Sequence, residues 1–195
     1  MIASLRRGLP GRRRRVLERP QRAAVLVPII DDAGGLRLLL TRRTEDLPTH
    51  AGQVAFPGGL VEPGEDDPVK TALREAEEEI GLREDAVEVL GLLDDFPTST
   101  DAVAVTPVVG VLRHVPPLHA RAAEVARIFD VPVAELLQAD RWTWRDEARG
   151  GRGLRIYYFL HEGETLWGLS ARIVLHLLEV SDLGSPVPLR LPEYP

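Results

Sequence analysis

Apolar residues fall into two periods along this chain. Residues 23–30 are rich in Ala, Val, Leu and Ile, and residues 36–41 form another largely apolar run, with Asp31-Asp32-Ala33-Gly34-Gly35 between them. That turn chemistry between two apolar runs predicts a β-hairpin. Strand-like segments follow at 87–96, 102–113 and 154–161, whereas 124–131 fits a strand or a helix equally. Helical spacing appears in Ile173, Val174, Leu177 and Leu178 and predicts a helix over 170–180. A short helix over 132–138 would open on proline. Residues 145–153 read as a polar, mobile connection, and the Pro- and Leu-rich stretch after Gly184 as an extended tail. Strands dominate with helices between them, so the fold class is α/β (α+β), with no internal repeat.

The segment from Asp67 to Gly81 carries its own boundaries. Asp67 can cap free N–H groups, Pro68 suits the first helical position, and Gly81 can adopt the left-handed conformation that ends a helix. At about 100° per residue, Val69, Ala72, Leu73, Ala76 and Ile80 form one apolar stripe. Glu75, Glu78 and Glu79 gather on a different arc, and Glu77 points to water.

Like charges at that spacing repel by about 0.2–0.5 kcal/mol per pair. A divalent cation removes the conflict, and Mg²⁺ favours hard oxygen ligands shared between a few carboxylates and substrate phosphates. A Glu-rich helical face can also be merely solvated. The loop before the helix, residues 56–65, favours the metal: the paired glycines Gly58 and Gly59 let backbone approach a ligand closely.

Composition narrows the picture. With 195 residues and 44% hydrophobic content, the chain suits one domain with tails: a basic tail over 1–22, a domain over 23–182 and a Pro/Leu-rich tail over 183–195. No apolar run approaches the roughly 20 residues that cross a bilayer, and the N-terminus lacks the apolar core of a secretory signal. Absence of cysteine excludes disulfides, thiolate metal sites and a cysteine nucleophile, and fits a cytoplasmic protein. Residues 1–22 hold eight arginines against Glu18, a net +7; the chain total of −6 leaves −13 for the rest. Such a tail could meet nucleic acid or an anionic surface, or be solvated or self-docking.

The Gly-loop and helix together resemble the Nudix box: Gly, five residues, Glu, seven residues, then Arg-Glu-U-x-Glu-Glu-x-Gly-U with U apolar. Arg74-Glu75-Ala76-Glu77-Glu78-Glu79-Ile80-Gly81-Leu82 matches the second half in full. Gly59 and Glu65 match the first half, with eight residues rather than seven before Arg74, which is similar to the coenzyme A diphosphatase branch. That branch's upstream signature is met by Leu39, Leu40, Thr41, Arg43, Gly52 and residues 56–59. Thr44 stands where Ser or Ala is expected, and Pro48 where a second Arg is expected. Further likeness in 105–109, 124–132 and 167–173 extends the resemblance over residues 23–180.

The resemblance implies a single-domain α/β/α sandwich around a mixed sheet and hydrolysis of a diphosphate bond. It implies Mg²⁺ or Mn²⁺ held by Glu75, Glu78, Glu79 and the carbonyl of Gly58 or Gly59, with Arg74 positioning a catalytic glutamate. Glu124 is a candidate general base, with Asp94, Asp95 and Asp101 behind it. Arg43, His50 and Gln53, with Arg42 as an alternative to Arg43, are candidates for meeting phosphates or nucleotide. Tyr157, Tyr158, Phe159, Trp142 and Trp144 read as packing residues. Coenzyme A would yield 4′-phosphopantetheine and 3′,5′-ADP. ADP-ribose, a dinucleotide, a nucleoside triphosphate and a non-catalytic binding module remain the alternatives. The partner is a small-molecule nucleotide, with no membrane, no nucleic acid expected and a homodimer left open.

Overall fold

The computed structural model describes residues 1–149 and 152–189. Strand β1 (Gln21–Asp32) and β2 (Gly35–Arg43) form the expected hairpin, Asp32 opposite Gly35 and Ile29 opposite Leu38. Strand β1 also runs parallel to β7 (Val103–Leu112) from Gln21↔Val103 to Ile30↔Leu112. On the far side of β7 lie β5 (Glu88–Leu92) and β6 (Phe96–Pro97), both antiparallel to it.

Near the site the sheet forks. The first half of β1 pairs with β4 (Gly58–Leu60) through Ala23↔Leu60, Ala24↔Gly59 and Val25↔Gly58, while its second half pairs with β2. Strand β2 then pairs with β3 (Val54–Ala55) and β8 (Val125–Pro132). The 124–131 segment thus resolves as strand.

Each face of this mixed sheet is covered, giving an α/β/α sandwich. Helix α2 (Pro68–Ile80) lays Ala72, Ala76 and Ile80 on Ala24, Leu26, Leu39 and Val108. The opposite face carries Val27, Ile29, Leu38, Leu40 and Val109, packed with α1 (Ile2–Gly8), α4 (Gly168–Val180) and a second sheet. That sheet has the order β11-β10-β9, from β9 (Trp142–Arg149), β10 (Arg152–His161) and β11 (Glu164–Trp167). Tyr157 and Phe159 alternate inward and are almost wholly buried. No helix among the described residues is long and apolar enough to cross a membrane.

Three sequence expectations change. Helix α3 is a single turn, Val133–Leu136, with Pro132 just before it. Residues 145–149 belong to a strand rather than a mobile connection, since Arg155 ties to Asp146 across β10 and β9 at 2.6 Å; residues 150–151 lie outside the described residues. The proposed C-terminal tail is folded back over its first part, where Val187 is buried and Tyr157 Oη donates to the Pro188 carbonyl at 2.7 Å. Its last six residues, 190–195, lie outside the described residues.

The N-terminal basic segment is docked on the body. Ile2, Leu5, Leu9 and Leu17 are buried. Its arginines meet acids of the sheet edge: Arg6 with Glu88, Arg12 with Asp94, Arg14 with Asp95 and Arg19 with Asp101. The Arg15 carbonyl accepts from Asp95 N–H at 2.9 Å, so the strap also extends the hydrogen bonding of that edge. Four of the segment's eight arginines are thus paired with acids of the body.

Candidate functional site

Helix α2 is placed by its own ends. The Asp67 side chain accepts from Val69 N–H at 2.9 Å, Pro68 follows, and Gly81 takes φ 69°. Free carbonyls at the C-terminus accept from the loop between β7 and β8, Ile80 from His119 N–H at 2.9 Å and Glu79 from Arg121 N–H at 2.8 Å. This fastens residues 119–124 to the helix and brings Glu124 to the box. On the other side, Thr44 N–H donates to the Glu124 carbonyl at 3.0 Å. A β-bulge between Arg42 and Arg43, against Arg127 and Val125, sits beside the same residue.

Gly58 and Gly59 run directly beneath the glutamates. Gly58 N–H donates to Glu79 Oε2 at 3.3 Å. A Cβ on Gly58 would lie 2.6 Å from Val25 Cα, and one on Gly59 would lie 2.5 Å from Glu75 Cδ. Only glycine allows this closeness between strand β4, strand β1 and helix α2.

Arg74 gathers the acids around it. Its Nε donates to Glu65 Oε1 at 3.0 Å, and one guanidinium nitrogen donates to Glu75 at 2.9 Å and Glu78 at 3.2 Å. Thr71 Oγ1 donates to Glu65 Oε2 at 2.7 Å. Bonds from Arg74 and Thr71 draw the Glu65 pKa down to about 2, and the acids in turn raise that of Arg74. Glu65 therefore meets Arg74 across the eight-residue interval. Neither Thr71 nor Glu65 was assigned a role from the sequence; Thr71 sits one turn before Arg74–Glu75, and that spacing was the available signal.

Glu79 is 4% exposed. Burial pushes its pKa up to about 7; the Arg43 guanidinium, 3.8 Å away, and the Gly58 N–H oppose this, and the charges of Glu75 and Glu124 add to it. Glu75 is raised as well, first by burial, against Arg74 and with Glu78 and Glu124 contributing. Glu124, itself 3.1 Å from Arg121, thus belongs to the same electrostatic cluster.

The other candidates separate. Arg43 points to Glu79, while Arg42 points to the opposite face, 3.6 Å from Glu164. Gln53 lies beside Arg43, whose N–H donates to its carbonyl at 3.0 Å, and the exposed His50 ring meets Gln53 Oε1 at 3.0 Å. Asp94, Asp95 and Asp101 are held by the strap's arginines, away from the glutamates; against burial, Arg12 and the Arg15 N–H keep the Asp94 pKa low. Trp142, Tyr157 and Phe159 are core, and Tyr158 stacks on Trp167 at 6.2 Å.

Among the described residues, no three Asp, Glu or His groups converge to ligate an ion as the side chains stand, because Arg74 holds Glu75 and Glu78. The donor chemistry nonetheless fits a hard divalent cation: several carboxylates whose mutual repulsion and burial call for positive charge, beside backbone that approaches without side chains.

A family model described as NUDIX domain matches residues 20–149. The "Uncharacterized Nudix hydrolase NudL" of Photorhabdus laumondii subsp. laumondii is 42% identical over 171 residues, covering 88% of this chain and 90% of that protein. Its counterpart of the same name in Yersinia enterocolitica is 43% identical, covering 80% of each. Among solved structures, a MutT/nudix family protein from Enterococcus faecalis aligns with TM-score 0.52 and 20% identity over 88% of this chain and 66% of that one. RenU, a Nudix hydrolase from M. smegmatis, aligns with TM-score 0.51 and 19% identity over 62% and 75%. These two likenesses concern the fold.

Proposed function

Since this chain belongs to the Nudix hydrolase family, we propose that it cleaves the diphosphate of coenzyme A or its thioesters to 4′-phosphopantetheine and 3′,5′-ADP. The observation that carries the reading is the placement of Arg43. Arg43 belongs to the upstream signature that favours coenzyme A, and its guanidinium lies 3.8 Å from Glu79, which supports reading the signature and the box as one site.

Nudix hydrolases generally use divalent metals such as Mg²⁺. Here Glu75, Glu78, Glu79 and the Gly58 carbonyl would hold Mg²⁺ or Mn²⁺, which when bound neutralises phosphate charge and lowers the pKa of water. Arg74 orients Glu75 and Glu78 through its two hydrogen bonds. Arg43, with Gln53 and His50 behind it, receives phosphate oxygens, and Gly59 leaves room for them. A water oxygen bonds to phosphorus, the bridging P–O bond breaks, and Glu124 takes up the water's proton on a carboxylate oxygen. Arg121 holds that carboxylate in place.

Every box glutamate is present, which argues against a binding module without catalysis. Thr44 and Pro48, the two departures from the branch signature, make ADP-ribose, a dinucleotide and a nucleoside triphosphate the comparisons that matter. Purified protein with Mg²⁺ or Mn²⁺ should turn over coenzyme A with kcat/KM about tenfold or more above that panel. Equal slowness on all members would reject coenzyme A as the substrate.

A further inference from the structure

A groove of about 270 Å³ opens at the outer end of β4, lined by Arg19, Pro20, Gln21, Arg22, Leu60 and Val61. It continues directly from the candidate site. Gly59 abuts Glu75, the Leu60 carbonyl accepts from Arg74 at 3.5 Å, and Val61 N–H donates to the Arg22 carbonyl at 2.9 Å. Strand residues advance about 3.3 Å each, so the groove begins roughly 3–7 Å beyond Gly59.

Its lining has two cations and no carboxylate, on a body whose charge is otherwise acidic. Arg19 is fixed: Nε donates to Asp101 at 2.9 Å and another nitrogen donates to the Glu18 carbonyl at 2.7 Å. Arg22 is exposed, and its guanidinium makes one long hydrogen bond of 3.5 Å to the Asp66 carbonyl. Leu60, 50% exposed, and Pro20 supply an apolar wall beside these charges. Such a mixture suits an anion attached to a ring.

We propose that this groove receives a phosphomonoester carried by the substrate's ribose, and that Arg22 is the specificity residue that recognises it. The inference rests on the diphosphatase reading above. In coenzyme A the 3′-phosphate stands on the same ribose whose 5′ ester enters the diphosphate, so one sugar spans the step from Gly59 to the groove. A guanidinium pairs with phosphate oxygens through two parallel hydrogen bonds, which an ammonium cannot reproduce.

Calorimetric titration of the full chain with 3′,5′-ADP and with 5′-AMP separates this from the catalytic reading, because neither nucleotide need react. Wild type should favour the bisphosphate about 3- to 10-fold. In Arg22→Ala the ratio should fall to within about twofold, in Arg22→Lys it should lie between, and in Arg22→Glu it should invert. No preference in wild type, or a preference kept in Arg22→Ala, overturns the groove assignment while leaving hydrolysis of coenzyme A intact. A preference that depends on Arg22 in a protein unable to split coenzyme A sustains the groove and removes the substrate instead.

Discussion

Gly59 and Glu75 touch at a point where the chain has no side chain: a Cβ on the glycine would stand 2.5 Å from the glutamate's Cδ. Gly59→Ala keeps the strand, since the atoms it meets are the far end of a flexible side chain, but it must swing that carboxylate away. Turnover should drop about tenfold or more while the melting temperature barely moves. Gly58→Ala meets the Val25 backbone instead, which cannot yield, and should cost about 1–3 kcal/mol of stability. Kinetics and thermal unfolding of the two variants test this pair; full activity in Gly59→Ala would remove Glu75 from the mechanism.

Glu79 is buried against the Gly58 N–H and faces Arg43. Glu79→Gln preserves shape and removes a charge that burial disfavours, so the fold should be retained with stability equal or higher. Turnover should fall by about 100-fold or more, because the acidic oxygen cannot be replaced by an amide. Steady-state rates beside a denaturant melt decide the matter, and wild-type rates in this variant would contradict the site.

Helix α2 was legible because its signals are local: Asp67, Pro68 and Gly81 set its ends, and the glutamates one turn apart set its face. Glu124 was harder, since its place depends on two backbone bonds from residues 119 and 121 to the end of that helix, a relation between distant segments. The arginine strap was read as a tail because charge outweighed pattern. Yet Ile2, Leu5 and Leu9 recur every three or four residues, and the strand they meet, β5 with Gly91, lies far along the chain. Gly91 is where a Cβ would lie 2.8 Å from Leu9 Cβ. Strand β9 was missed for a related reason, although 154–161 was read as strand: Asp146 on β9 is paired with Arg155 on β10, and such charged positions look like a loop in one dimension.

The strap is therefore structural. Leu5 is fully buried, and Leu5→Ala should cost about 2–5 kcal/mol. Removal of residues 1–19 takes away four buried side chains and the arginines facing Asp94 and Asp95, so the truncated chain should be far less stable or fail to fold. Denaturant midpoints of wild type, Leu5→Ala and the truncation would measure it. An unchanged midpoint in the truncation would show the docking to be energetically idle.

His176 makes the stability of that same region depend on pH. Its ring on α4 is 4% exposed at the side chain, with Nε2 3.4 Å from Asp94 Oδ2 and Nδ1 3.9 Å from Glu179. Phe96 meets it edge-on at 5.7 Å. Burial lowers its pKa to about 4; Arg12 and Arg15 push the same way and Asp94 opposes them. The folded protein thus keeps the ring neutral where the unfolded chain, titrating near 6.5, takes up a proton. Unfolding is favoured by each proton bound only in the unfolded state, so this contribution is complete above pH 6.5 and is lost as pH falls towards 4, about 3 kcal/mol in all. Asp94, whose pKa is lowered by Arg12, loses its own contribution in the same direction at still lower pH. In His176→Gln the ring's share disappears, so urea midpoints measured from pH 7 to 4.5 should decline less steeply than in wild type. Parallel declines in the two proteins would mean that the buried imidazole is not the group that titrates.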